Sequence, residues 1–433
     1  MDTRGNETVL FLLGAGASLP LMPSTRDLTD DLSNWVSIWQ DGSESRLLPR
    51  IAEAARSAKV EANFEDLISV VDLMVAEERS RDDPSFSPAQ SILRWDLRGE
   101  ALRPVKEALG ARHFTELVHL MGMAHAARVR VFEHIADRVA ATDRNSLTDA
   151  AICRLVRAVA EHARVVVATL NFDPLLDFCG VPLATGYKRL GAGGPYRLFD
   201  AEFEFSDSAS NLLLPMHGSI HLGHPGPEDL TLGQPVWFDV VDEARKTWDR
   251  FSLHHTVEIP PEDLMIIGRS KALNLLPQPF ASYFSRFRRE ASLAGTWVRA
   301  GYGAWDHHIN EALRHALLYR WAAGLAINVI VIDVEPYHRG VISRFGRPNH
   351  LFEHAPSGPG WEKLIHFRRP IGWVWTQGLE PLASDLSHLA EKIHLNRAHH
   401  KAEGIMNASS WETRRMACMH KNFLTGPTPL CQE

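Results

Sequence analysis

The chain has 433 residues, of which 45% are hydrophobic, and its formal net charge at pH 7 is -7. This length exceeds the size at which one hydrophobic core usually stops growing, so we expect two or three folded units. The acidic balance argues against nonspecific nucleic-acid binding over the whole surface, although it leaves a local basic patch open. The four cysteines are widely spaced without a C-x-x-C pair, so neither a zinc ribbon nor a disulfide framework is indicated.

The sequence predicts a cytoplasmic protein without a membrane span. No stretch reaches eighteen consecutive apolar residues. The apolar segment Val9 to Leu13 is not expected to be a signal peptide, because Asp2, Arg4 and Glu7 give no positively charged flank before it.

Residues 1–40 are predicted to form the first strand and a phosphate loop. The strand Val9 to Leu13 is followed by small residues whose backbone N–H groups can approach a pyrophosphate. Leu19 stands where a full dinucleotide fingerprint has its third glycine, so the pattern is specific only together with the fragments described below. Alternatively, the two glycines only end the strand. The small residues of this loop are Gly14, Ala15, Gly16, Ala17 and Ser18.

Residues 41–147 are predicted to be a mostly helical insertion. Ser24 or Thr25 is expected to cap a first helix ahead of it. From about residue 45 the sequence is rich in Ala, Leu, Arg and Glu, with one obvious break at residues 82–85.

Residues 148–340 alternate between helical and strand patterns. The β-branched run at 164–169 suits a parallel sheet that is covered on both faces. The alternation predicts a Rossmann-like, doubly wound parallel α/β sheet, with the helical insertion after its first strand. A C-terminal extension, 341–433, is expected to carry a helix around Leu382 to Ile393 and to serve oligomer or partner contacts. Further strands are predicted at Leu212 to Met216, Leu264 to Ile267, Thr296 to Ala300 and Ile327 to Asp333.

Two polar fragments lie at predicted strand ends, where ligands bind in such sheets. Asn171 of Thr169-Leu170-Asn171-Phe172-Asp173 offers a carboxamide to a ribose hydroxyl or to attacking water. His217 of Met216-His217-Gly218-Ser219 can accept a proton near neutral pH. Asp173 is expected to hold the Asn171 loop or to cap the helix after it. Taken alone, Asn171 would be interpreted as a turn residue and His217 as a core or surface residue.

A third fragment follows the strand that ends at Ala300. Gly301 and Gly303 flank Tyr302 and allow a second close approach of backbone to phosphate or ribose. Asp306 is expected to cap the helix that begins near His308. Asp333 ends the last strand, where an acid either bonds an adenosine ribose or closes a turn.

These fragments resemble the sirtuin-like (silent information regulator) family, and within it the bacterial branch associated with anti-phage defence. The match spans roughly residues 9 to 335. Residues 63–67 also resemble an Asn-Phe-Glu segment of that branch, although an ordinary amphipathic helix explains them equally well. Residues 14–18 are similar to the family's first phosphate loop, 169–173 to its Thr-x-Asn-(Tyr/Phe/Ile)-Asp motif, 217–219 to its His-Gly motif, and 301–310 to the Gly-Tyr-Gly-x-x-Asp-x-x-Ile-Asn segment of the defence branch.

The resemblance implies hydrolysis of NAD to nicotinamide and ADP-ribose, with Asn171 and His217 at the centre. A neutral pyridine leaves from an oxocarbenium-like sugar, so this chemistry needs no strong acid on the leaving side. The resemblance also implies a homo-oligomer and an activating partner, such as an ATPase or helicase or a nucleic-acid-guided protein. NAD contacts are expected from the small-residue loop and from Thr169, Asp173, Gly301, Tyr302, Gly303, Asp306 and Asp333.

Two other functions stay open. The same pocket can sense NAD or ADP-ribose without cleaving it. It can also serve an NAD-dependent protein deacylase or ADP-ribosyltransferase, but the family's deacylases usually carry a four-cysteine zinc module that this chain cannot build.

No metal is expected. His217, His221 and His224 repeat at i, i+4 and i+7, which on a helix would suggest a metal site, but Gly218 and Gly223 argue against a helix there. A basic stretch is interpreted first as a solvated face, with a phosphate contact or a partner surface as alternatives. It contains Arg269, Lys271, Arg286, Arg288 and Arg289.

Overall fold

The computed structural model describes residues 8–38, 44–82, 117–189, 194–204, 210–225, 234–253, 264–268, 271, 275, 277–304, 306–325, 327–332, 352–356, 361–366, 369–375, 377 and 379–384. Its strands are β1 (Thr8–Leu13), β2 (Ser37–Ile38), β3 (Glu44–Ser45), β4 (Arg164–Thr169), β5 (Tyr187–Lys188), β6 (Tyr196–Phe199), β7 (Leu212–Pro215), β8 (Leu222–Gly223), β9 (Val236–Phe238), β10 (Thr296–Ala300), β11 (Asn328–Ile332), β12 (Phe352–Pro356), β13 (Trp361–His366) and β14 (Arg369–Trp375). Its α-helices are α1 (Thr25–Asn34), α2 (Leu47–Ser57), α3 (Phe64–Asp82), α4 (Leu117–Ala141), α5 (Arg144–Thr148), α6 (Ala151–Ala160), α7 (Val241–Leu253), α8 (Phe280–Leu293), α9 (His307–Ala322) and α10 (Leu379–Ser384).

An eight-stranded sheet in the order β12-β13-β14-β11-β10-β1-β4-β7 lies at the centre of the structure. Six consecutive strands, β14-β11-β10-β1-β4-β7, are all parallel. Leu10 of β1 pairs with Trp297 on one side and with Val166 on the other. Strand β1 is buried from its second residue onward, as expected for a parallel strand that is covered on both faces.

Alternate side chains of β1 enter two different hydrophobic cores. Leu10 and Leu12 pack in a core with α1 to α4 and α8. Phe11 and Leu13 pack on the opposite face with α6. Helices therefore flank the parallel sheet on both faces, which is consistent with the predicted Rossmann-like fold.

Most of the residues described between β1 and β4 are helical, and the short strands β2 and β3 also lie there. Helix α1 begins with a capping box, in which the Ser24 hydroxyl accepts from the Asp27 N–H and Asp27 accepts from the Ser24 N–H, so the predicted cap is confirmed. Helices α2, α3 and α4 share one core with the sheet. The proposed limits of the insertion and of the C-terminal extension stay predictions.

The structure differs from the sequence-based strand predictions at several places. Leu264 to Ile267 is not a strand, and only Met265 forms a bridge, to Gly218. The C-terminal strands were not predicted, although β14 joins β11 in parallel and β13 and β12 add antiparallel pairs. Residues 333 and 385–433 lie outside the described residues, so Asp333 and most of the predicted helix after Leu382 are untested. Among the described helices, none is long and apolar enough to cross a membrane.

His125 of α4 is a buried histidine inside the helical core. Burial, aided by the nearby Arg128, lowers the pKa of His125 from 6.5 to about 4. Between these two values the unfolded chain binds more protons than the folded chain does. The contribution of His125 to the free energy of unfolding therefore falls as the pH drops below about 6.5, by about 1.4 kcal/mol per unit at most.

When the pH falls from 7 to 5, the free energy of unfolding of the wild type should decrease. We expect the decrease in His125→Gln to be about 2 kcal/mol smaller, because this variant has no buried imidazole that must stay neutral. Urea unfolding at the two pH values measures this. His162→Gln, at an exposed position, is the control. An equal loss in His125→Gln and the wild type would contradict the prediction.

Candidate active site

Four loops meet at the carboxyl edge of the parallel sheet. They follow β1, β4, β7 and β10, and backbone hydrogen bonds join them across the strand ends. The Gly14 N–H donates to the Ala300 carbonyl at 3.1 Å, and the Leu170 N–H to the Leu13 carbonyl at 2.9 Å. The Met216 N–H donates to the Thr169 carbonyl at 2.9 Å. The structure thus brings the predicted glycine loops, the Asn171 loop and the His217 loop to one edge.

The two glycine loops cross at backbone contact. The Gly16 N–H donates to the Gly301 carbonyl at 3.2 Å. A Cβ on Gly14 would lie 2.6 Å from the Gly301 carbonyl oxygen, and one on Gly301 would lie 2.2 Å from the Ala17 nitrogen. Gly301 also has a φ of +59°, in the left-handed region. These glycines are therefore required by the crossing of the loops.

We expect Gly301→Ala to lower the free energy of unfolding by about 3 kcal/mol more than Gly324→Ala does, because rigid backbone meets the new methyl group only at Gly301. Gly324 is a matched control, since its φ is +67° and nothing lies within 4 Å of its added Cβ. Chemical denaturation of both variants measures the difference. Equal losses would show that the contact between the loops imposes no steric demand.

The Asn171 carboxamide is held with a defined orientation. Its Nδ2 donates to the Gly14 carbonyl at 3.0 Å and to the Ser18 hydroxyl at 2.9 Å. Its backbone N–H donates to the Thr169 hydroxyl at 3.1 Å. Because both amide protons are engaged, the group left for a ligand is the amide oxygen, an acceptor.

Asp173 holds the Asn171 loop against the first glycine loop. Its carboxylate accepts from the Ser18 hydroxyl at 2.8 Å and from the Leu175 N–H at 3.1 Å, at the start of a short 3-10 turn, Leu175–Phe178. Burial raises the pKa of Asp173, and these hydrogen bonds oppose that shift. The loop-holding role suggested by the sequence fits these contacts, whereas the N-cap position of the turn is Pro174, which has no side-chain cap hydrogen bond.

We expect Asp173→Ala to lose about 2 kcal/mol of unfolding free energy, because it leaves the Ser18 hydroxyl and the Leu175 N–H without their acceptor. Asp173→Asn keeps an acceptor oxygen for Leu175 and should recover most of this loss. Urea unfolding of the two variants checks the prediction. Equal destabilisation in both would show that the carboxylate's charge, and not its hydrogen bonds, holds the loop.

His217 is only 2% exposed and lies beside an acid. Its Nε2 is 3.8 Å from Oδ1 of Asp306. Burial lowers the pKa of His217 well below 6.5, aided by the positive charge of Lys271 and opposed by Asp306. Gly218 follows at a φ of +100°, and a Cβ there would lie 2.1 Å from the Leu264 carbonyl oxygen, so the turn that carries His217 requires glycine.

A buried ion triad, which the sequence did not predict, joins helix α3 to this region. The Lys271 ammonium lies 2.9 Å from Oε2 of Glu65 and 2.7 Å from Oδ1 of Asp306. Burial acts to lower the pKa of Lys271, but the two carboxylates outweigh it and the pKa is raised. The Lys271 side chain is 12% exposed, so its interpretation as part of a solvated face was wrong. The signal that could have found the triad was Glu65 in the 63–67 segment.

Tyr302 and Asp306 have contacts that differ from the expected ones. The Tyr302 hydroxyl lies 3.1 Å from Oδ1 of Asn310 and 3.2 Å from the Asp306 carbonyl oxygen, and the ring is buried. Asp306 precedes α9, as predicted, but its carboxylate accepts from Lys271. The buried Tyr302 side chain thus stabilises the loop through its own hydrogen bonds. Direct contacts of Tyr302, Gly303 and Asp306 with NAD stay predictions.

The three histidines at helical spacing separate in the structure. Nε2 of His221 lies 2.7 Å from Oδ2 of Asp177, and its ring stacks on Trp237. The His224 N–H donates to the Thr247 hydroxyl at 3.3 Å. Within the described part of the chain, the histidine and acid ligands that do come together are His217, Asp306 and His308.

No protein-family model and no curated protein matches this chain. The resemblance to the sirtuin-like family therefore stays a prediction from the sequence motifs.

Proposed function

We propose that the protein is an NAD hydrolase that cleaves the bond between nicotinamide and ribose. The observation that carries this proposal is the meeting, at one sheet edge, of two crossed glycine loops with the loops of Asn171 and His217. Glycine loops at strand ends are typical phosphate sites, and the amide and imidazole supply polar groups for a ribose and a water molecule. The same four segments carry the resemblance to the NAD-cleaving defence branch.

The first glycine loop is proposed to hold the pyrophosphate. Ala15 and Gly16 are exposed at the loop surface. Ala15 begins a 3-10 turn, and the first N–H of such a turn has no partner within the turn. That N–H can donate to a negatively charged group.

The amide oxygen of Asn171 is proposed to accept a hydrogen bond from a ribose hydroxyl or from the attacking water. Its direction follows from the Nδ2 contacts with Gly14 and Ser18. A fixed acceptor beside the sugar positions the reacting groups before the bond breaks.

His217 is proposed to accept the proton of the attacking water. The C1′–N bond of NAD breaks, its electron pair leaves with neutral nicotinamide, and water oxygen bonds to C1′ while the water proton passes to His217. Asp306, whose Oδ1 lies 3.8 Å from Nε2 of His217, would stabilise the imidazolium that forms. The net reaction consumes NAD and water and yields nicotinamide, ADP-ribose and one proton.

In the cell we propose a triggered effector that depletes NAD in anti-phage defence, as the resemblance implies. It would act in the cytoplasm as a homo-oligomer, with an activating partner such as an ATPase or helicase or a nucleic-acid-guided protein.

We expect the full-length protein to release nicotinamide from NAD, and we expect Asn171→Ala and His217→Ala each to reduce the rate at least 100-fold, since positioned acid–base groups contribute about that much or more. Chromatographic separation of nicotinamide and ADP-ribose measures the rates.

The control substitutions replace the same residue types at positions outside the site. Asn34→Ala removes an exposed asparagine of α1, and His162→Ala removes an exposed histidine after α6. Both should retain the wild-type rate. Undiminished release by Asn171→Ala and His217→Ala would refute the assignment.

Two measurements separate the other functions. Calorimetry in which NAD binds and is recovered intact would favour a sensing module. Formation of O-acetyl-ADP-ribose from NAD and an acetylated peptide would favour a deacylase.

A further inference from the structure

Three side chains of the kinds that bind metals meet beside His217. One ligand atom from each of His217, Asp306 and His308 lies within 4.8 Å of the other two. The His217 and His308 rings have centroids 5.6 Å apart. Two imidazoles and one carboxylate are the donor set of many catalytic zinc sites and of non-haem iron sites.

The two imidazoles carry buried nitrogens that make no hydrogen bond to the described part of the chain. Nε2 of His217 and Nε2 of His308 are both buried and make no hydrogen bond within the described residues. His217 itself is only 2% exposed. A buried polar atom without a partner costs free energy, which a bound ion would recover.

Asp306 keeps the capacity to bind a cation although Lys271 contacts it. The ammonium donates to Oδ1 of Asp306, the same oxygen that lies 3.8 Å from Nε2 of His217, and each carboxylate oxygen has two lone pairs, so one bond to the ammonium leaves acceptor capacity for an ion. The carboxylates of Glu65 and Asp306 both contact the Lys271 ammonium.

We propose that His217, Asp306 and His308 bind one divalent transition-metal ion of the zinc and cobalt class. Ligand atoms around tetrahedral zinc lie about 3.4 Å apart, so the His308 ring has to move inward by roughly one ångström. His308 lies in the first turn of α9, where a change of side-chain torsion brings its ring closer without moving the helix. Water completes the coordination.

Bound metal would inhibit NAD hydrolysis, a consequence that rests on the proposed function. An ion on the His217 imidazole occupies the lone pair that would accept the water proton. The same histidine would then be both the proton acceptor in NAD hydrolysis and a ligand of an inhibitory metal ion.

The test is cobalt titration of the full-length protein after treatment with a chelator. We expect one Co²⁺ per chain, with the visible d–d absorption of a four- or five-coordinate ion. His308→Gln should weaken this binding by more than about 100-fold, which is the upper range for losing only an outer-shell partner of a metal ligand. The matched control is His307→Gln, an exposed histidine one position away, which should bind as the wild type does.

His308→Cys guards against a folding defect of the glutamine variant, because it replaces one ligand by another. We expect it to bind Co²⁺ with an added thiolate-to-cobalt charge-transfer band. Failure of the wild type to bind Co²⁺, or unchanged affinity in His308→Gln, would overturn the proposed site.

Inhibition is read separately, from Zn²⁺ titrations of nicotinamide release. The wild type and His307→Gln should be inhibited, and His308→Gln should resist at the same Zn²⁺ concentration. Equal inhibition of all three proteins would contradict inhibition through the proposed metal site. If no nicotinamide is released under any condition, the proposed hydrolase fails, while the cobalt spectrum still decides the metal site.

Discussion

The contact between the first glycine loop and Gly301 is the constraint on which the rest of the site depends. Gly14 and Gly301 leave their strands at the same sheet edge, and their backbones approach until no Cβ would fit between them. The Asn171 amide donates to the Gly14 carbonyl, so its direction is set by where that loop lies. Ser18, at the end of the same loop, bonds both Asn171 and Asp173. One backbone crossing therefore fixes the strand ends and the polar groups above them.

The charged side chains beside these loops form ion pairs in a largely buried position. Glu65 on α3, Lys271 and Asp306 before α9 come from distant parts of the sequence, yet the ammonium lies within 3 Å of both carboxylates. Buried charges persist only where they are paired, because desolvation of an isolated charge costs more than the fold can supply. The triad thus ties α3 to the loop that carries Asp306, and Oδ1 of Asp306 also lies 3.8 Å from Nε2 of His217.

Much of the fold could be predicted from local pattern. The buried runs at β1 and β4 are continuous and β-branched or leucine-rich, which is typical of parallel strands covered on both faces. The segment at Leu264 to Ile267 has the same appearance but lies against the His217 turn, where the Ile266 N–H donates to the His217 carbonyl at 2.7 Å. An apolar run reports burial, and it does not report which backbone will pair with it. The sequence analysis also did not predict the short strands β5, β6, β8 and β9, because their pairing depends on contacts with other segments of the chain.

By itself, the sequence determined the kinds of groups at the strand ends: small residues at 14–18, an amide at Asn171, an imidazole at His217 and glycines around Tyr302. Those identities follow from residue type and from position after an apolar run, both of which are local. Only the tertiary structure decided that Lys271 is buried between two acids, that Tyr302 is turned inward, and that His308 joins His217. These are contacts between segments far apart in the chain, and their formation depends on how the helices pack on the sheet, which no local periodicity encodes.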